Sequence, residues 1–559
     1  MVAIVGVPLF ILICLEFTLR CAGYGYSTDF FKTGRVRGVE AWVENSDFGR
    51  RFFPPGLARS PAPLSFPQKK PANTIRIFVM GESAAMGDPD LKFGLPRMLA
   101  VLLRERYPDR RFEVINTAMV AINCHVILPI ARACANREGD LWVVYMGNNE
   151  MVGPFGSTSV FGTKAPPMCL VRAGLWLRTT RTGQLLDATT RYFQRADGPR
   201  EWTGMELMAG QAIRPGSKAT QRVYQNFETN LREILTVASR AHVPVILCTV
   251  ASNLRDCPPF ASLHREGLSS EQLNGWRGLY EEGVSAQMAG DAGNALNLFM
   301  KAAGIDDEFA DLAFRRAECS LEAGRLKDAA AGFQDARDKD ALQFRADTEI
   351  NKMIRNAATA YGDRGVRLLD AESFLVSHSA NGVPGADFFY EHVHFTPEGN
   401  YELSRAVADE AARALSLPTV GDWLSGSNCF RALGLTDWNR FDALNTILDR
   451  IQSAPFTAQL NHTNQVEKIR QSMANLKFAT KPAVVKQQAL EVSRLADKNP
   501  DDPDLRWNLA ILMQNAGDYA GAEQQWRALQ ELQPQSPLPG HNLAQLLEGL
   551  GRTSEAPNR

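Results

Sequence analysis

The sequence predicts a mixed α/β protein: a parallel sheet flanked by helices, interrupted and then followed by all-α helical hairpins. Three observations carry this. Short apolar runs at 75–80, 112–115, 141–145, 243–249 and 366–369 alternate with helical segments near 95–106, 123–135, 222–240 and 346–361, and such alternation argues a parallel sheet covered on both faces. Residues 276–343 repeat with a 34-residue period. The same period returns between 509 and 556. At roughly 150 residues per domain, a chain of 559 residues is expected to hold three or four structural units. Its 45% hydrophobic and 22% charged residues are those of a folded protein rather than a disordered tail or a fibre.

In chain order, residues 2–15 form an unbroken apolar run, followed by Glu16, Phe17, Thr18, Leu19 and Arg20. The run is shorter than the roughly 20 residues of a full span, lacks the basic flank of a signal peptide and is followed by no small-x-small cleavage site. Two readings remain: an uncleaved signal anchor whose basic flank precedes this start, or a first core helix. We expect residues 1–25 to be the anchor, making the protein membrane-anchored and extracytoplasmic, periplasmic or at the cell surface. Residues 26–72 are rich in Pro, Arg and aromatics, Phe52-Phe53-Pro54-Pro55 among them, with no sustained period. They read as a linker that wraps a surface. Residues 73–262 and 344–416 hold the strand–helix alternation as two parts of one unit. Within the first part, 155–220 is irregular, a surface insertion with helical character around 175–193.

Residues 263–343 separate those two parts. Gly283 matches Ala317, Gly290 matches Gly324, Ala295 matches Ala329, Phe299 matches Phe333 and Ala302 matches Ala336. Small residues at that spacing let two helices of a hairpin approach closely, and the aromatic fills the gap to the next hairpin. In residues 417–559 the period pairs Leu509 with Leu543, Ala510 with Ala544, Gly517 with Gly551 and Ala522 with Ala556, beside Tyr519, Trp526 and Pro534. Residues 417–500, helical around 438–451 and 484–496, read as degenerate copies. Both segments resemble tetratricopeptide repeats, which implies hairpins stacked into a solenoid and a protein partner bound by them.

Charge excludes one class of function. Lys plus Arg number 61 against 62 Asp plus Glu, a net charge of -1, so no global field attracts nucleic acid. The nine cysteines are scattered and lack C-x-x-C spacing. They read as small buried hydrophobes, and an oxidising compartment would allow one or two disulfides.

Chemistry concentrates where the strands end. The first strand runs into Gly81-Glu82-Ser83-Ala84-Ala85-Met86-Gly87-Asp88, which places the Ser83 hydroxyl at the sheet edge where ligands bind. No Lys follows the second glycine, so this is not a phosphate loop, and it is not a G-x-S-x-G elbow. A lone serine there would be a turn or cap hydroxyl. Its companions argue otherwise. Asn116-Thr117-Ala118 offers a backbone N–H at the same edge, and Gly147-Asn148-Asn149-Glu150 offers a side-chain amide. Two donors beside a nucleophile suit an oxyanion that develops in the transition state. Glu391-His392-Val393-His394 precedes a helix that Thr396 caps with Pro397 in its first turn. An acid three residues before a histidine can hold the imidazole by Nδ1 and present Nε2 to the serine.

These blocks resemble the SGNH (GDSL-like) hydrolase superfamily, over residues 73–262 and 344–416. The resemblance implies a flavodoxin-like three-layer α/β/α fold and a serine esterase. Ser83 would be the nucleophile, His394 the base, Glu391 its orienting acid, and Asn149 with the Ala118 N–H the oxyanion donors beside Ser83's own N–H. Ala118 stands where the family has glycine. Glu82, Glu150 and Glu391 stand where it has aspartate, so the longer arm of Glu391 must reach the imidazole from a shifted backbone. The expected substrate is an acylated molecule, with short acyl groups on a carbohydrate or envelope polymer following from the family's range and the extracytoplasmic location. An O-acyltransferase on the same site, or a catalytically silent repeat scaffold binding a protein partner, are the alternatives. No cofactor, metal or nucleic acid is expected; His392 beside His394 lacks the further ligands of a metal site. His125 reads as a histidine at a helix N-terminus near the pocket. Arg345 and Asp347 either line the cleft or cap the next helix, and Gly153-Pro154-Phe155-Gly156 is either a rim loop or a plain turn.

Overall fold

The computed structural model describes residues 2–193 and 201–555. Helix α1 (Val2–Cys21) opens the chain. From Gly6 to Cys14 its side chains are exposed all round, and only Leu15, Glu16 and Leu19 are partly covered. Among the described residues, no helix is long and apolar enough to cross a membrane.

Residues 26–72 are more than the expected linker. They contain a three-stranded antiparallel sheet of β1 (Phe31–Val36), β2 (Val39–Glu44) and β3 (Ser65–Pro67). Arg37 and Gly38 join β1 to β2, both at positive φ, the two-residue turn whose twist matches that of the strands. The sheet escapes a pattern search because β3 pairs from far along the chain and the aromatics cluster instead of alternating. Phe30, Phe48, Phe52, Phe53 and Phe66 are buried in one core with the main sheet.

That main sheet has five parallel strands, β4 (Thr74–Gly81), β5 (Arg111–Asn116), β6 (Leu141–Tyr145), β7 (Val245–Cys248) and β8 (Val366–Leu369), in the order β5-β4-β6-β7-β8. Every residue of β6, Leu-Trp-Val-Val-Tyr, is buried, the continuous apolar run of a strand covered on both faces. Between β4 and β7 lie α2 (Ser83–Met86), α3 (Leu95–Arg106), α4 (Cys124–Cys134), α5 (Met168–Leu177), α6 (Arg181–Phe193) and α7 (Lys218–Arg240). Between β7 and β8 lie α8 (Ser270–Met288), α9 (Ala292–Ala303), α10 (Ala310–Glu322), α11 (Leu326–Asp338) and α12 (Thr348–Ala360). After β8 come α13 (Ala371–His378) and α14 (Pro397–Ala414). α3 and α14 pack together over one face of the sheet, and α4, α7 and α12 over the other. The chain leaves β4 in opposite directions to reach β5 and β6, so the carboxyl end of β4 is the switch point where such sheets bind ligands.

The inserted helices form two hairpins, α8 with α9 and α10 with α11. A Cβ at Gly283 would stand 2.5 Å from the Phe299 ring, so the glycine is what lets that hairpin close. The chain ends in α15 (Gly426–Ala432), α16 (Asp437–Ile451), α17 (His462–Leu476), α18 (Pro482–Lys498), α19 (Pro503–Asn515), α20 (Tyr519–Leu532) and α21 (Pro537–Gly549). Ala556, expected to mirror Ala522, lies outside the described residues. These helices dock on the sheet unit: Arg97 of α3 pairs with Asp502 and with Asp504, each at 2.7 Å.

Candidate active site

Ser83 is the first residue of α2, directly beyond β4. Gly81 makes that turn sterically feasible, because a Cβ there would lie 2.1 Å from the Tyr145 carbonyl of β6. Ser83 Oγ stands 2.8 Å from His394 Nε2. On the other side of the ring, His394 Nδ1 is hydrogen-bonded to Glu391 Oε1. The loop carrying both is pinned by Asn253, whose Nδ2 donates to the Glu391 carbonyl at 2.8 Å and whose N–H donates to the His392 carbonyl at 2.9 Å. Thr396 caps α14 just beyond, accepting from Gly399 N–H at 3.1 Å.

Glu391 is almost fully buried, which by itself would raise its carboxyl. The neighbouring imidazoles of His392 and His394 and their hydrogen bonds override that and hold it well below the ordinary carboxylate range. It is therefore charged, as the orienting acid of an imidazole must be.

The structure brings Ser83, His394, Glu391 and Asn149 together. Asn149 lines the same 210 Å³ cavity as Ser83 and His394. Its placement depends on Glu82: this buried carboxyl accepts from Gly147 N–H at 3.2 Å, Asn148 N–H at 2.8 Å and Asn149 N–H at 3.2 Å. The residue before Ser83 thus ties the end of β6 to the end of β4. Burial, then the neighbouring Glu150, raise the Glu82 carboxyl well above its ordinary value. Glu150 accepts from Cys124 N–H at 2.9 Å at the start of α4, and burial pushes its carboxyl up to about 7.

Ala118 departs from the expectation. Its N–H donates to Asn116 Oδ1 at 3.2 Å, and the residue does not line the cavity, where Val120 and Ala121 stand instead. Among the described residues expected as donors, Asn149 and Ser83 line the cavity.

Two residues without an assigned role in the sequence reading complete the site. Asp88 Oδ2 lies 3.0 Å from His394 Nε2. Arg450, near the end of α16, places Nη2 2.7 Å from Asp88 Oδ2 and Nη1 3.1 Å from Glu391 Oε1. Burial would lower the guanidinium's affinity for its proton, but Asp88 and Glu391 raise it. Arg450 Nη1 also stands 2.9 Å from His394 Nδ1. Asp88 was legible as part of the turn that carries Ser83. Nothing local marks Arg450, which reaches the site from a helix outside the sheet unit. The cavity's apolar wall, Val152, Trp202, Met205, Met208 and Phe344, comes largely from the irregular insertion and from the end of the hairpin insert.

The remaining candidates take supporting places. Arg345 is buried, donating to the Asn253 and Cys257 carbonyls at 3.0 and 2.7 Å. Asp347 caps α12 by accepting from Ile350 N–H at 2.9 Å. His125 sits in the first turn of α4 with Nδ1 3.0 Å from Asn230 Nδ2, away from the cavity, and burial lowers it to about 4. Gly153 lines the cavity, and Pro154 accepts from Asn123 Nδ2 at 2.9 Å in the turn beyond it. Among the described residues, Glu391, His392 and His394 are a group whose ligand atoms lie within 4.8 Å of one another. Both imidazoles there direct Nδ1 at the one carboxylate.

No protein-family model matches the chain, and no curated protein matches it. A search of solved structures returns a structure of Naa15/Naa10 bound to HypK-THB, at 14% identity and a TM-score of 0.19, covering 69% of this chain and 51% of that one. The chain thus spans about half the length of that match.

Proposed function

We propose that this chain is a serine esterase of the SGNH type. The observation that carries the reading is the single line of contacts from Ser83 Oγ through His394, at 2.8 Å from its Nε2, to the buried, charged Glu391 on Nδ1. The strand order β5-β4-β6-β7-β8, with the nucleophile at the switch point, supports the flavodoxin-like expectation.

In this mechanism His394 Nε2 takes the Ser83 proton as Oγ bonds to the ester carbonyl carbon, and Glu391 stabilises the imidazolium. The oxyanion is met by the Asn149 amide and the Ser83 N–H. Collapse breaks the bond to the alcohol oxygen, which leaves with the proton from His394. Water, deprotonated by the same ring, then releases the acid. At 210 Å³ the cavity is below the roughly 300–1,000 Å³ of pockets that enclose drug-sized ligands, which suits a short acyl group. A carbohydrate or envelope polymer as the alcohol, a protein partner on the tetratricopeptide-like hairpins and an extracytoplasmic location with α1 as membrane anchor are parts of the same proposal. The anchor is supported by the free-standing apolar turns of α1.

The test is covalent labelling with a fluorophosphonate, located by mass spectrometry. Labelling at Ser83 that disappears in both Ser83→Ala and His394→Ala is expected. A folded protein that resists labelling would replace the esterase with a silent scaffold, and acyl transfer to an added sugar in preference to water would replace it with a transferase.

A further inference from the structure

We propose that the exposed face of α5 is a second lipid contact, lying on an anionic bilayer beside α1; the proposal rests on the reading of α1 as an anchor. α5 turns Val171 and Leu175 inward, yet Cys169, Leu170, Ala173, Trp176 and Leu177 are exposed. Their spacing puts these five on one stripe of the helix. Leu170 is 63% exposed and Trp176 67%. Scattered apolar side chains on a surface are ordinary, whereas a contiguous stripe marks a contact.

The position of the stripe points to lipid. Glu16, which ends the apolar run of α1, accepts from Arg181 N–H at 3.0 Å and from Thr182 N–H at 2.8 Å. Those are the first residues of α6, so α1 leaves the body of the protein at the α5–α6 turn. Trp176 and Leu177 close α5 at that same turn. A bilayer that receives α1 therefore meets the end of α5 at its surface, the level tryptophan prefers.

Charge selects the same occupant. Around this turn Arg132 and Arg172 share Glu233, Arg178 and Arg191 share Asp187, and Arg20 pairs with Glu16, so with Arg181 six arginines stand against three acids, a surplus of three positive charges in a chain whose net charge is -1. Arginines flanking such a stripe complement anionic headgroups, with the helix set roughly 5–10 Å into the boundary. The insertion that carries α5 also supplies Trp202, Met205 and Met208 to the catalytic cavity, so this contact would hold the cavity mouth at a set height above the membrane.

The native Cys169 is the probe. The full chain, with Cys14 and Cys21 replaced by serine, is labelled at Cys169 with an environment-sensitive maleimide. It is then bound to phosphatidylglycerol–phosphatidylcholine vesicles with and without spin-labelled lipid. The reference carries Cys169→Ser and Met288→Cys, a position 84% exposed on the repeat hairpin. Quenching by spin-labelled lipid about threefold stronger at 169 than at 288 is expected, falling when phosphatidylglycerol is omitted. Equal quenching on vesicle-bound protein would overturn the α5 contact and leave the anchor standing. Energy transfer between labelled copies, without lipid quenching, would overturn it in favour of a second copy of the chain. Failure to float with vesicles would remove the anchor and the α5 contact together.

Discussion

Replacing Glu391 by glutamine tests how the site sets the state of its base. In the proposed mechanism the Glu391 carboxylate accepts the Nδ1 proton of His394, leaving the Nε2 lone pair for Ser83. Glutamine removes the charge, and Arg450 Nη1, already 2.9 Å from Nδ1, becomes the strongest group facing that nitrogen. A guanidinium only donates, so Nδ1 must become the acceptor and the proton moves to Nε2. There Asp88 Oδ2, 3.0 Å away, accepts it and stabilises the wrong tautomer. A base held in the wrong tautomer loses on the order of 10⁴-fold in turnover, about 5.5 kcal/mol of barrier. Glu391→Asp keeps the charge, shortens the arm by about 1.5 Å and should lose only about 10–100-fold. The assay is p-nitrophenyl acetate hydrolysis together with the second-order rate of fluorophosphonate labelling at Ser83. Glu391→Gln within tenfold of the wild type, or Glu391→Asp as damaged as Glu391→Gln, would refute the reasoning.

Two further outcomes follow from the same geometry. Asn149→Ala should lower kcat by about 100–1,000-fold with little change in KM, because the amide meets charge that exists only in the transition state; steady-state kinetics on an activated ester checks it. Glu150 has a folded-state pKa of about 7 against 4.5 for the ordinary group, raised by burial, so the stability it contributes is fully present below pH 4.5 and is lost as pH rises through 7. That is about 3 kcal/mol at the high-pH end. Glu150→Gln keeps an oxygen for the Cys124 N–H without a charge, and thermal melts should show its advantage over the wild type growing between about pH 5 and pH 8.

Much of the sheet was legible, because a strand buried on both faces must read as a continuous apolar run, and β6 and the 77–80 stretch of β4 do. The Ser83, Asn149 and His394 positions were legible for a related reason: each lies within a few residues of a strand end or a helix cap, where short motifs set the local geometry. The β1–β3 sheet was not, since Phe66 of β3 pairs with Trp42 of β2 across an intervening loop that no local period records. Ala118 shows the opposite limit. Its place beyond β5 was readable, but the partner of its N–H depends on the rotamer of Asn116.

The sequence alone determined what is local: the serine turn at 81–88, the carboxyl and imidazole three residues apart at 391 and 394, and the hairpin period set by Gly283 and Phe299. Tertiary structure decided everything that depends on distance in space between residues remote in the chain. Arg450, from α16, pairs with Asp88 several hundred residues earlier, and Glu82, from the turn after β4, holds Asn149 in place. The physical reason is range. Backbone propensity, capping and apolar periodicity act over a few residues, whereas charge pairing and burial act between whichever groups the packed core brings together.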